Sequence, residues 1–334
     1  MSDRLKLPPI RDFGFYQRRK HDKWREVPLP SPALEAPVAD SHAHLHMLPD
    51  PAWELTRCAT NGVDYVCSIV DPSEDGARPF DELNAWINGV KEAILRSKDD
   101  CLRENCENLS QDLSACETGV PTVRLAVGVH PHNAKLYDDT IERELLARLE
   151  DLRVVALGEI GLDFHYDLSP RDVQEWVFRR QIAFAKEVGL PVALHLRGGD
   201  DPEADDAHRR AFNILQEEGF PERGTLLHCC ALPPEELKPW VEADCYIAYG
   251  GALTFKSADA ARAGACIVPA NRLLLETDSP YMTPEPMRGA ACTPAHVIFT
   301  AAVLAGIRGV VTGEERKAFL EQLHTNTLRF YRER

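Results

Sequence analysis

Between residue 38 and the C-terminus, short apolar runs alternate with stretches of helical spacing, and the alternation occurs eight times. The runs end near Ser41, Val70, Val129, Leu157, Leu194, Leu227, Ala248 and Leu275. In Asp64 to Val70 the residues Tyr65, Val66, Ile69 and Val70 give the β-branched and aromatic bias of a buried strand. The intervening stretches read as helices: Val173 to Val188 repeats its apolar positions at helical spacing until Gly189 and Pro191 stop it. Eight β/α units predict an α/β fold, specifically a closed (β/α)8 TIM barrel and not an open sheet. A chain of 334 residues accommodates one such domain.

In a barrel of this kind the C-terminal ends of all strands open onto one face. Six metal-competent side chains stand at those ends: His42, His44, Glu159, His195, His228 and Asp278. Each has an ordinary explanation alone, as a capping carboxylate or a hydrogen-bonded imidazole, but their shared position relative to the strand ends predicts one cluster. His42 and His44 alternate along a strand, so both imidazoles face the same way. Four histidines and two carboxylates exceed the needs of one tetrahedral zinc and suit two divalent ions. The expected assignment puts His42 and His44 on the first ion, His195 and His228 on the second, and Glu159 between them. Asp278 binds the first ion and holds the attacking water. The implied catalytic pair is Asp278 and Glu159, the implied chemistry is hydrolysis, and zinc, manganese or magnesium are the candidate cofactors.

Composition narrows the partners. A net charge of -15 repels polyanions at long range, so a nucleic-acid substrate would need local positive charge or bound metal to hold it. The ten cysteines form no Cys-x-x-Cys pair and no apolar leader follows Met1, a pattern of reduced thiols in a cytoplasmic or nuclear protein. No apolar run is long enough for a membrane span. Residues 1–37 read as a proline-rich, partly disordered extension carrying the basic run Arg18-Arg19-Lys20-His21, with Phe13, Phe15, Tyr16 and Trp24 as candidates to lie on the body. Residues 38–334 read as the barrel. Its second unit is lengthened at about 72–121 by a helical, partly mobile insertion with apolar spacing at Leu83, Ile87, Val90, Ile94 and Leu95, a candidate surface for a protein partner.

Several segments together resemble the TatD family of metal-dependent deoxyribonucleases. They are His42-Ala43-His44-Leu45, Gly128-Val129-His130-Pro131-His132, Gly158-Glu159-Ile160-Gly161-Leu162-Asp163, His195-Leu196-Arg197, His228-Cys229 and Glu276-Thr277-Asp278-Ser279-Pro280. The resemblance covers about residues 38 to 330. It implies a barrel of the amidohydrolase superfamily, a pair of divalent ions at the six positions above, and phosphodiester hydrolysis of DNA or a related nucleotide. It also implies that His130, His132 and Arg197 line the substrate pocket. Arg197 lies two residues after His195, on the same strand face, where a guanidinium can grip a phosphate; the alternative is a surface ion pair with Asp200 or Asp201. The extension and insertion resemble the fungal Cut9-interacting branch. Two departures, His228-Cys229-Cys230-Ala231 and Ala291-Cys292-Thr293-Pro294, bear on substrate grip and leave the ligand positions untouched. Two other readings are open: a small ester, lactone or cyclic amide hydrolase, and a partner-binding scaffold acting through the insertion.

Overall fold

The computed structural model describes residues 6, 12–104, 119–201 and 206–333. The expected disorder of the extension and the polar, mobile part of the insertion fall in part on residues 1–5, 7–11 and 105–118, outside the described residues. What is described of the extension is ordered. Strands β1 (Phe15–Arg18) and β2 (Trp24–Val27) pair antiparallel, with Phe15 opposite Val27 and both buried. The Phe15 ring meets His296 and Phe299 edge-on at 5.1 and 4.9 Å, and the Arg57 guanidinium lies 5.0 Å over its face. The basic run sits at the hairpin's tip, where Arg19, Lys20 and His21 are exposed.

The eight expected strands are β3 (Val38–Ala43), β4 (Val63–Val70), β5 (Thr122–Val127), β6 (Val154–Asp163), β7 (Val192–Arg197), β8 (Thr225–Leu227), β9 (Tyr246–Tyr249) and β10 (Leu273–Leu275). They pair in parallel and in sequence order. The sheet is closed into a barrel just beyond the ends of its first and last strands. The Asp278 amide donates to the His42 carbonyl at 2.8 Å, and the His44 amide donates to the Ser279 carbonyl at 2.8 Å. Asp40, fully buried beside this seam, accepts from the Thr277 amide at 2.8 Å and from its hydroxyl at 2.6 Å.

Two strands run past the ends read from sequence. β6 extends beyond Leu157 because a register shift at Gly158 and Glu159 absorbs the break, after which Gly161 pairs with His195 and Asp163 with Arg197. Gly161 is indispensable to that pairing: its φ is +148°, and a Cβ there would lie 2.0 Å from the His195 carbonyl oxygen. The same pairing carries β7 on to Arg197.

The helices are α1 (Pro51–Thr60), α2 (Arg78–Asp81), α3 (Leu83–Glu104), α4 (Asp139–Leu149), α5 (Arg171–Val188), α6 (Ala207–Glu218), α7 (Pro234–Glu242), α8 (Asp259–Ile267), α9 (Val297–Ile307) and α10 (Gly313–Phe330). Their limits follow local chemistry. Asp50 caps α1 through the Trp53 amide with Pro51 in the first turn, and Gly189 stops α5 in the left-handed conformation. On α5, Val177, Phe178, Ile182 and Ala185 are buried, each fully sequestered large side chain contributing roughly 1.5–3 kcal/mol. On α3, Leu83 and Val90 are buried whereas Leu95 is 63% exposed. Helix α10 packs over β3 and β10 and so covers the seam.

A separate apolar cluster includes alternate strand residues such as Tyr65, Ala126, Ala156, Ala193, Leu226, Ala248 and Leu274, together with Phe330 and Tyr331 from the C-terminal end of α10. Packed side chains, not ions, therefore fill the barrel. Among the described residues no helix is long and apolar enough to cross a membrane.

Candidate metal centre

All six ligand candidates meet at the C-terminal mouth of the barrel. Glu159 is their centre, 5% exposed. Its Oε1 lies 2.5 Å from His195 Nδ1 and 2.9 Å from His228 Nε2, while its Oε2 lies 3.4 Å from His42 Nε2. Asp278 Oδ1 stands 3.8 Å from His42 Nε2 and 3.5 Å from His44 Nε2. One carboxylate thus divides its oxygens between the histidine of β3 and those of β7 and β8. The stacked rings of His42 and His228, 4.0 Å apart, join the two halves.

The electrostatics are those of a site short of positive charge. Burial alone would raise the Glu159 carboxyl, yet the surrounding His228, His195, His42 and His130 hold it well below the usual carboxylate range. Asp278 is likewise lowered, against burial, by His44, His228 and His42. His42 is pushed down, first by burial and then by His228. For His228, burial is outweighed by Glu159 and Glu276, which push its imidazole well above its ordinary value.

A divalent cation fits these donors. Both ring nitrogens of fully buried His42 lack a hydrogen-bond partner, and the 3.4–3.8 Å gaps between His42, His44, Glu159 and Asp278 are too wide for good hydrogen bonds. The donor atoms of His42, His44 and Glu159 lie within 4.8 Å of one another, as do those of Glu159, His195 and His228. Imidazoles and carboxylates in two such groups suit zinc, manganese or iron.

The three expected substrate residues lie beside this cluster. His130 Nε2 is 3.7 Å from Glu159 Oε1; its Nδ1 accepts from the His132 amide at 3.2 Å, which leaves the proton on Nε2, facing the cluster. His132 is held by Asp163, Nε2 to Oδ2 at 2.7 Å. Arg197 stacks on Tyr166, its guanidinium carbon 4.6 Å from the ring centroid.

Three carboxylates to which the sequence reading gave no role complete the surroundings. Asp163, fully buried, binds His132 and also His195 Nε2 at 3.2 Å, so His195 turns Nδ1 to Glu159. Glu276, also fully buried, accepts from the Cys229 amide and lies 3.7 Å from His228 Nδ1, with its Oε2 unpartnered. Such outer carboxylates fix ring orientation and raise ligand basicity. Asp71 accepts from the His130 amide at 3.0 Å and from Asn133 at 2.9 Å. Asp163 stands an even number of residues after Glu159 in the same strand, so strand periodicity was the available signal for it, whereas Glu276 lies beyond the end of the last strand, where no such periodicity applies.

A barrel that gathers histidines and carboxylates from separate strands at its C-terminal mouth is the arrangement of a metal-dependent hydrolase. The model of the family described as "TatD related DNase" matches residues 39–332, and the chain belongs to that family. It is 39% identical over 187 residues to a Bacillus subtilis protein described as the uncharacterized metal-dependent hydrolase YabD, covering 55% of this chain and 69% of that one. It is 33% identical over 213 residues to the 3'-5' ssDNA/RNA exonuclease TatD of Erwinia billingiae, covering 61% and 76%. The fold is shared with the crystal structure of YJJV, a TatD homolog from Escherichia coli K12: TM-score 0.66 at 24% identity, covering 88% of this chain and 97% of that one.

Proposed function

We propose that this metal-dependent hydrolase cleaves phosphodiester bonds of nucleic acid, DNA foremost. The observation that carries the reading is Glu159, which faces His42 with one oxygen and His195 and His228 with the other, the disposition two ions sharing a carboxylate require. In this reading His42, His44 and Asp278 would hold one divalent ion and His195 and His228 a second, with Glu159 available to either. When bound, the ions lower the pKa of water toward neutrality and offset charge developing on phosphate oxygens.

The chain's own residues do the rest. Asp278, kept ionised by its histidine neighbours, orients the attacking water and accepts its proton at Oδ1 or Oδ2. His130 offers its Nε2 proton to a phosphate oxygen. Arg197, on the strand face of His195, adds the positive charge that a chain of net charge -15 otherwise lacks. Asp163 keeps His195 from rotating, and the buried Glu276 carboxylate faces Nδ1 of His228. Support for nucleic acid as substrate comes from the named activity of the Erwinia relative.

The test is digestion of end-labelled single- and double-stranded oligonucleotides by the purified chain with Mg²⁺, Mn²⁺ or Zn²⁺. Cleavage that chelation abolishes is expected. Strands left intact with all three metals would remove the proposal.

A further inference from the structure

The pairing order places β6 and β10 four strands apart in a ring of eight, on opposite sides of the barrel mouth. The loop that follows each of them carries an exposed tyrosine. Tyr166, 46% exposed after β6, meets His132 edge-on with ring centroids 5.5 Å apart, and Arg197 braces one of its faces. Tyr281, 39% exposed after β10, meets His44 edge-on at 6.2 Å, its hydroxyl 3.9 Å from Met47 Sδ. Apolar surface widens both rims: Leu168 beside the first tyrosine, Met47 and Met282 beside the second, all exposed. Apolar side chains left in water on both sides of a charged cluster mark a ligand with the same pattern, an anion flanked by flat apolar groups.

We propose that Tyr166 and Tyr281 are stacking platforms for the two bases on either side of the phosphodiester bond lying over the cluster. Bases in a duplex bury their faces against their neighbours, and only an unstacked base offers one to a tyrosine ring. Stacking also suits an acidic protein, because it grips without adding phosphate contacts and tolerates any sequence. The inference deepens the phosphodiesterase reading and rests on it.

The test compares two single strands on the metal-loaded full-length chain, one with bases throughout and one made of tetrahydrofuran abasic residues. Wild type favours the base-bearing strand in kcat/KM by about five- to a hundred-fold for each platform engaged. Tyr166→Leu and Tyr281→Leu each reduce that ratio and the double change brings it toward one, whereas Tyr281→Phe keeps it, since the ring makes the contact. The same ratio in Kd, read by fluorescence anisotropy, serves where turnover is slow. Equal treatment of the two strands by wild type, or an unchanged ratio in the leucine variants, overturns the platforms and leaves phosphodiester hydrolysis standing. Leucine variants that lose metal, or slow both strands alike, give the tyrosines a merely architectural role and also overturn it. A wild type that neither cuts nor binds either strand sinks both the platforms and the activity they serve.

Discussion

His296 should make the fold lose stability in mild acid, and the structure sets the size of the effect. The ring is 4% exposed, packed against Phe15 and Phe299. Its Nδ1 accepts from the Thr293 amide at 3.0 Å, one half of the capping box that starts the turn leading into α9. Burial first, and then the Arg57 guanidinium, lower its pKa from 6.5 to about 3. Between those values the unfolded chain carries a proton that the folded chain refuses, so stability rises with pH across the window and is lost as pH falls. For this one group, lowering the pH from 7 to 5 costs about 2 kcal/mol. His296→Gln is the informative change, because glutamine at the same helix position can accept the Thr293 amide but does not titrate. Urea unfolding of both proteins at pH 7 and 5 should show the wild type losing about 2 kcal/mol more than the variant. The same loss in both would mean that His296 titrates normally in the folded chain, and the account of its burial would be wrong.

Other expectations follow from the same contacts. His42→Ala with His44→Ala should release about one ion per chain by elemental analysis and cut hydrolysis by about a hundred-fold or more, with little change in Tm, since apolar layers fill the barrel. Gly161→Ala forces a Cβ into the His195 carbonyl at 2.0 Å, so it should yield little folded protein or a Tm many degrees lower; normal stability would contradict the β6–β7 register. Phe15→Ala should cost about 3 to 5 kcal/mol in denaturant unfolding if the hairpin is part of the core, and almost nothing if it is a loose tail. Glu159→Gln, which keeps the shape but removes the charge shared by His195 and His228, should weaken metal binding by at least about ten-fold in titration calorimetry.

The barrel was legible because burial on both faces writes itself as apolar runs, and the six clustered side chains because five of the eight runs end at one or two of them. Legibility failed where the signal is tertiary. The strand holding Glu159 reads as finished at Leu157, since its apolar run breaks there; the register shift that carries it on to Asp163 has no pattern of its own in the sequence. Leu95 seemed to continue the α3 stripe, but it follows Ile94 directly and so points about a quarter-turn away, into solvent. Helix α8 buries only small residues, Ala261, Gly264 and Ala265, so no large apolar side chain marks its inward face. Glu276 differs from an ordinary surface acid only in its burial, and the stacking of Arg197 on Tyr166 joins residues of neighbouring strand ends that spacing alone does not connect.

The seam between the first and last strands bears on how the enzyme is made. Hydrogen bonds from the Asp278 amide to His42 and from the His44 amide to Ser279 link the earliest of the clustered side chains to leave the ribosome with the last. A polypeptide interrupted before residue 278 has an open wall and an incomplete set of donors for the same reason. A fragment shed during synthesis or clipped by a protease ahead of that point therefore holds neither the closing hydrogen bonds nor the whole cluster, which comes together only in the finished ring.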